Sequence, residues 1–428
     1  MSRFRAALLI VIIAMAPASL AADADAISVD LKSAAQLALE NNPRLSSASA
    51  SVDISKAVVD KARSALYPTI GAEAGYSYLS KETIFGTTPV MEHSTEANRL
   101  HLQQVVYSAG AVQAGIRQAR HAYIATTHGT QAAQAEVLTN VAVAYFRARQ
   151  AAENIDVAVA SEKSLAAGYD SAKKLHEAGV VTNSDVLRAQ VALTSAKSSL
   201  IEARNGYEVA LAALRTAIGL PLGHTIKLAP DAADAPPETL ISESPADRPE
   251  IAASTAAVQA ADEAKTAAAS GRQPTVALFA DYYNQPVGAQ FPRLSNTLMA
   301  GVMVKLNVFD GGMTRANIDE ANAASIKARH DLAAQQQQVE LEQQTAKLNL
   351  SSAQAKVETT ATQVQSAQES LRSLQIGYNE GIAPLTDVLS AEAALTAARV
   401  SRLAAVYDVK IAAVNLMRAY GHSHGLAQ

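Results

Sequence analysis

Residues 176–187 read HEAGVVTNSDVL and residues 378–389 read YNEGIAPLTDVL. The two stretches align without a gap, Gly179 on Gly381, Asp185 on Asp387 and Leu187 on Leu389, at an offset of 387 − 185 = 202. LRTAIG (214–219) matches LMRAYG (416–421) and VYSAG (106–110) matches VFDGG (308–312) at the same offset. Upstream, NPRL (42–45) matches RPEI (248–251) and YPTI (67–70) matches QPTV (273–276), now at 273 − 67 = 206. Markers in one order in both halves make the chain a duplication. A unit of roughly 200 residues is too long for a solenoid repeat and implies two copies of one whole architecture. The first repeat spans 22–219 and the second 250–421, with a tail at 422–428. They are joined by Leu220 to Pro249, whose six prolines predict an extended connector with little regular helix.

The doubled stretch reads as a reversal between two helices. Gly179 and Gly381 can take the left-handed conformation that ends an incoming helix. Thr182, Asn183 and Ser184 in one tip (178–185), and Pro384 and Thr386 in the other (380–387), suit the start of the outgoing helix. Asp185 and Asp387 then fall in its first turn, where a carboxylate favours the helix dipole. That alone explains both acids as structural.

Working outward, Pro43 to Leu66 is helical in pattern and Pro68 ends it. The period then becomes two. Ile70, Ala72, Ala74, Tyr76 and Tyr78 alternate with Gly71, Glu73, Gly75 and Ser77, and Leu100, Leu102 and Val106 alternate with Arg99, His101 and Gln103, Gln104 interrupting the apolar side. The second repeat has Val276, Leu278, Ala280 and Tyr282 on one face of its first strand. Leu298, Ala300, Val302, Val304, Leu306 and Val308 form one face of its second. Strands are expected near 69–82, 96–107, 275–285 and 296–309. Each is apolar on one side and polar on the other, the pattern of a lipid-facing barrel wall or of a half-buried soluble sheet. Glu73, Arg99, His101, Asp281 and Lys305 fall on the water side and are the candidate lumen-facing residues.

After Gly110 and Gly312 come proline-free stretches of ~68 residues, ~100 Å as helix. A return helix of ~36 residues covers only half of that, and the ~24-residue helix before the first strand supplies the rest, stacked end to end. Leu165, Tyr169, Ala172 and Leu175 mark a coiled-coil seam, and abundant Ala allows close helix approach. Four strands cannot close a barrel, and lipid tolerates no open edge. Two copies would leave an interior filled by side chains; three, giving twelve strands, leave a duct. The expected class is therefore an α+β membrane protein, with a duplicated helical coiled-coil barrel and four strands per chain in a trimeric β-barrel.

MSRFR, the apolar Ala6 to Met15 and Ser19-Leu20-Ala21 predict an export signal cleaved after Ala21. No segment has the ~18 unbroken apolar residues of a spanning helix. With no Cys there is no disulfide, thiolate metal site or lipidated Cys. A net charge of −4 gives no footprint for nucleic acid. No GxSxG, HExxH or GxxxxGK[ST] pattern occurs, so neither an enzyme nor a cofactor is expected. His422 and His424 lack an accompanying acid or thiol and read as a tail, not a metal site. Gln335 to Gln338 reads as a solvated helix face.

The G-x5-D-V-L-x-A tips, the YPTI/QPTV and YSAG/FDGG junctions and the doubling resemble the TolC-like outer-membrane efflux proteins over nearly the whole mature chain. The resemblance implies a homotrimer in the Gram-negative outer membrane with a helical tube in the periplasm. It also implies a periplasmic adaptor as partner, and through it an inner-membrane pump, and export of drugs, metals, dyes or proteins. It further implies an acidic constriction at Asp387, with Asp185 linked to Tyr378 to hold the entrance shut. Two departures stand out. Asn307 precedes Val308-Phe309 where relatives often carry Pro, and Ser390 stands where they often carry a second acid, so a single acidic ring is expected. Such a ring selects cations.

The turns Ala178-Gly179-Val180-Val181 and Glu380-Gly381-Ile382-Ala383 are apolar for loops. They suit adaptor contact, or packing on their own hairpins. The sequence therefore predicts a passive exit duct of a tripartite efflux system. The same architecture would serve type I protein secretion. The alternative of another class is a soluble periplasmic coiled-coil adaptor or scaffold, which would carry one hairpin rather than two.

Overall fold

The computed structural model describes residues 27–81, 83–85, 88–91, 94–221, 223–229, 248–284 and 297–422. The expected export signal (1–21), most of the Pro-rich connector and His424 lie outside the described residues.

The first repeat opens with β1 (Ile27–Val29) and α1 (Leu31–Asn41), then α2 (Pro43–Ser64), β2 (Thr69–Tyr78), the short β3 (Thr83–Phe85) and β4 (Thr88–Met91), β5 (Ser94–Tyr107), α3 (Ala111–Glu177) and α4 (Asn183–Ile218). The connector holds β6 (Ile226–Leu228). The second repeat runs α5 (Pro249–Ala269), β7 (Thr275–Asn284), β8 (Thr297–Lys305), α6 (Met313–Asn379) and α7 (Leu385–Ala419). The long helices α3 and α6 have 67 residues each, ~100 Å at 1.5 Å per residue.

Each long helix is flanked by two shorter ones, α2 and α4 on α3, α5 and α7 on α6. The two short helices are clamped where they meet. Pro43 and Pro249 sit in the first turn of α2 and α5, where a missing N–H costs nothing. The residue before each proline reaches the end of its return helix: Asn42 Nδ2 donates to the Ala217 carbonyl at 2.8 Å, and an Arg248 guanidinium N–H donates to the Ala419 carbonyl at 3.0 Å. Gly219 closes α4 in the left-handed region (φ 90°), with a Cβ position only 2.6 Å from the Asn41 carbonyl oxygen, so only glycine fits.

The junctions from strand to long helix repeat too. Gly110 and Gly312 precede α3 and α6 at φ 86° and 93°. Ser108 Oγ accepts from the Val112 N–H at 3.2 Å, and its counterpart Asp310 accepts from the Thr314 N–H at 2.9 Å. Each satisfies a donor that the first helical turn leaves open.

The core lies at mid-height. Leu138, Val141, Tyr145, Phe146, Leu214, Ile218, Tyr407 and Val414 are buried there, with β1 and α1 laid against them. β1 pairs in parallel with β6. This belt corrects the sequence reading, which left β1 and α1 unassigned and gave the connector no strand. α1 has its own capping box, Asp30 with Ser33, and three-residue strands are too short to show a period.

β3 pairs antiparallel with β4, and the four-stranded sheet has the order β2-β5-β7-β8, all neighbours antiparallel. Both hairpins share one register: Thr69 faces Gln103 as Thr275 faces Lys305, and Glu73 faces Arg99 as Phe279 faces Gly301. Among the described residues β2 and β8 are open edges. β8 ends at Lys305, four residues short of the expected 309, leaving Leu306 to Phe309 outside the sheet, with Val308 and Phe309 90% and 89% exposed. The equivalent end of β5 continues to Tyr107 because β7 pairs it; beyond Lys305 the described residues offer no partner strand.

Candidate functional site

The helix-pair tips carry the sequence-derived site residues. In the first tip the Gly179 N–H bonds to the His176 carbonyl at 2.8 Å and the Val180 N–H to the Leu175 carbonyl at 2.9 Å, with Gly179 at φ 76°. In the second, Gly381 bonds to Tyr378 at 3.0 Å and Ile382 to Gly377 at 2.8 Å, with Gly381 at φ 75°. Both are glycine-closed helix ends of the Schellman type. Val180 (59% exposed) and its counterpart Ile382 (79%) point outward. Val181 packs against the tip cluster of Ala172, Ala189 and Tyr378, and the Ala383 methyl lies against Gly377. Ala178, Glu380 and the two glycines are exposed. The apolar turns are thus divided between outward contact and self-packing.

The two acids differ. The Asp185 carboxylate accepts from the Thr182 N–H at 3.1 Å and its hydroxyl at 2.8 Å, while the Asp185 N–H donates to Thr182 Oγ1 at 3.3 Å. This is a reciprocal capping box, which engages the side chain locally. Asp387 has Pro384 at its N-cap, no side-chain cap, and a single long bond from the Thr386 hydroxyl at 3.4 Å. Its carboxylate is exposed. Helix capping therefore accounts for Asp185 and leaves Asp387 available.

Tyr378 is buried at the tip and its hydroxyl has no hydrogen-bond partner. Burial pushes that hydroxyl's pKa up, and the negative charge of Asp185 adds to the rise. Asp185 is thus close enough to act on Tyr378, but the direct link implied by the resemblance is not formed within the chain. Ser390 spends its hydroxyl on the Thr386 carbonyl at 2.8 Å.

Above the tip, sequence reasoning missed an acid. Glu392 on α7 is 4% exposed and accepts from the Ser164 hydroxyl of α3 at 2.8 Å, beside a Thr396–Ser161 contact of 3.1 Å. It stands seven residues after Leu385 and four after Val388, on the packed seam, a spacing that could have shown it. It borders a cavity of about 650 Å³ between α3, α4 and α7.

The five strand candidates share one sheet face, and Glu73, Arg99 and Asp281 come together there. Arg99 bonds Asp281 through two nitrogens at 2.9 and 2.8 Å, approaches Glu73 at 3.8 Å and lies over the Tyr283 ring at 5.6 Å. His101 lies over Gly71, and Phe279 over Gly301, where a Cβ would clash at 2.8 and 2.9 Å. Lys305 stands apart, at the helix-proximal end of β8. Gln104, the polar residue in the apolar run, donates to the Leu66 and Val105 carbonyls at 3.3 and 2.8 Å. Among the described residues no group of three metal-ligating side chains occurs, and no helix is long and apolar enough to cross a membrane.

Comparison with known proteins bears on the whole arrangement. The outer membrane protein TolC of Vibrio cholerae is 25% identical over 395 residues, 90% of this chain and 89% of that protein. The alkaline protease secretion protein AprF of Pseudomonas aeruginosa is 24% identical over 402 residues, 90% of this chain and 82% of that protein. The crystal structure of CusC superposes with a TM-score of 0.82 at 20% identity, covering 92% of this chain and 93% of that one. The sequence profile of the outer membrane efflux protein family matches twice, at residues 34–220 and 240–422, so the two halves each answer to it and the chain belongs to that family.

Proposed function

We propose that three copies of this chain form a passive exit duct through the Gram-negative outer membrane, passing cargo handed over by a periplasmic adaptor and an inner-membrane pump. The observation that carries this is the four-stranded sheet with two open edges, set on helices of ~100 Å. In lipid those edges must be paired, and copies of the same chain are the partners of matching geometry. The adaptor meets the tips at Val180 and Ile382, and Asp387 lines the entrance. No chemistry is required of the chain; the pump supplies the energy. A protein-secretion duct is the second reading, favoured by the likeness to AprF. Purified protein in a planar bilayer tests the duct: stable conducting steps support it, and a silent bilayer with outer-membrane protein of verified fold contradicts it. Export of a small dye versus a secreted polypeptide, restored in a strain lacking its own duct, separates the two cargo readings.

A further inference from the structure

The duplication that shapes the chain also determines how one copy meets the next. Within the chain, β5 pairs with β7: His101 faces Asp281, Gln103 faces Phe279, Val105 faces Ala277, and Tyr107 faces Val276 after a bulge at Val106. This is the second strand of one repeat against the first strand of the other. The same relation holds between β8 and β2, but these are the two free edges, so it can be met only by a second copy. The offsets that superpose the repeats, 202 on the second strands and 206 on the first, reproduce every residue pair shared by the two hairpins.

Resting on the trimer reading above, we infer that β8 of one copy pairs with β2 of the next in the register of β5 with β7, which sets Lys305 opposite Glu73. Met303 then faces Gly75, Asn307 faces Gly71, and Phe309 faces Ile70, with Val308 bulged as Val106 is. Faces agree along the seam. Val302 meets Tyr76, Val304 meets Ala74 and Leu306 meets Ala72 on the apolar side, while Lys305, Asn307 and Gly301 meet Glu73, Gly71 and Ser77 on the other. A two-residue slip keeps the faces but puts Lys305 opposite glycine. Among the described residues Lys305 has no ion-pair partner, and the Glu73 side chain is 66% exposed with the 3.8 Å approach of Arg99 alone. Opposite charges directly across a strand pair stabilise that register. The pairing also gives Leu306 to Phe309 the partner strand they lack, carrying β8 to the end that β5 reaches at Tyr107. The seam inside the chain is keyed at another level, by Arg99 and Asp281.

The chain has no cysteine, so paired cysteines report the register cleanly. Glu73→Cys with Lys305→Cys, oxidised mildly in outer membranes, should give bands at two and three times the chain mass. Ser77→Cys with Lys305→Cys, four residues out of register, should not. Lys305→Glu should lower the melting temperature of the assembly, and adding Glu73→Lys should restore it. Cross-links from the shifted pair, or neither cross-links from the matched pair nor recovery on charge exchange, in protein that native mass still shows as three copies, overturn the register alone. Native mass of single copies overturns the trimer, and the pairing falls with it.

Discussion

Asp185 and Asp387 occupy the same place in the two repeats and do different work because of the residue three before each. Thr182 offers a hydroxyl and an N–H, the Asp185 carboxylate accepts from both, and the Asp185 N–H donates back to the hydroxyl oxygen. Pro384 offers neither, and Asp387 remains exposed with one weak contact. Asp185→Ala should therefore loosen the α3–α4 tip by about 1 kcal/mol, seen as faster hydrogen exchange in residues 174–186. Asp387→Ala should leave that exchange unchanged. It should instead move the reversal potential in a salt gradient toward zero, with Ser390→Ala unaltered; an unchanged reversal potential for Asp387→Ala would remove the acid from the conduction path. The chemistry of the two caps was readable in Thr182 and Pro384. The burial of Tyr378 was not, because a tyrosine near a tip carries no sign of which way it turns. Glu392 was passed over since an acid in an Ala-rich helix looks solvated until its seam position is counted.

At the scale of elements, the joints between stacked helices are the vulnerable points. Arg248 is 2% exposed and holds α5, α6 and α7 together through Glu250 (2.9 and 3.0 Å), Glu342 (3.1 Å) and the Ala419 carbonyl. Arg248→Ala removes the charged donor from the partly exposed carboxylates of Glu250 and Glu342 and should cost about 1–3 kcal/mol in denaturant unfolding. Burial opposes ionisation of Glu250, but the bonds and charge of Arg248 outweigh it and hold the carboxyl below the ordinary range. Its contribution is therefore full above the unfolded value near 4.5 and is lost as pH falls through the lower folded value. The wild-type melting temperature should drop below that pH, and Arg248→Ala should flatten this part of the profile. Gly219→Ala, whose methyl meets the Asn41 carbonyl, should cost about 1–3 kcal/mol. The helices, strands and tips were legible because proline, glycine and a change of period mark each boundary twice. β1, α1, β3, β4 and β6 escaped because, among the described residues, none has a second copy in the other repeat to confirm it. The end of β8 was drawn at 309 from its alternation, and the isolated chain stops it at Lys305 for want of a neighbour.

For the whole molecule, sheet and tube each expose what a single chain cannot satisfy. β2 and β8 present unpaired backbone, and α4 carries Leu187, Val191, Ile201 and Val209 exposed along its length. Both point to assembly, which the sequence could reach only by counting strands. The measurement that tests this most directly is single-particle imaging of the full-length protein extracted from outer membranes in detergent. The account expects threefold particles, with a detergent belt around the strands and a helical tube of ~100 Å below it. A monomer or dimer without a belt would contradict it.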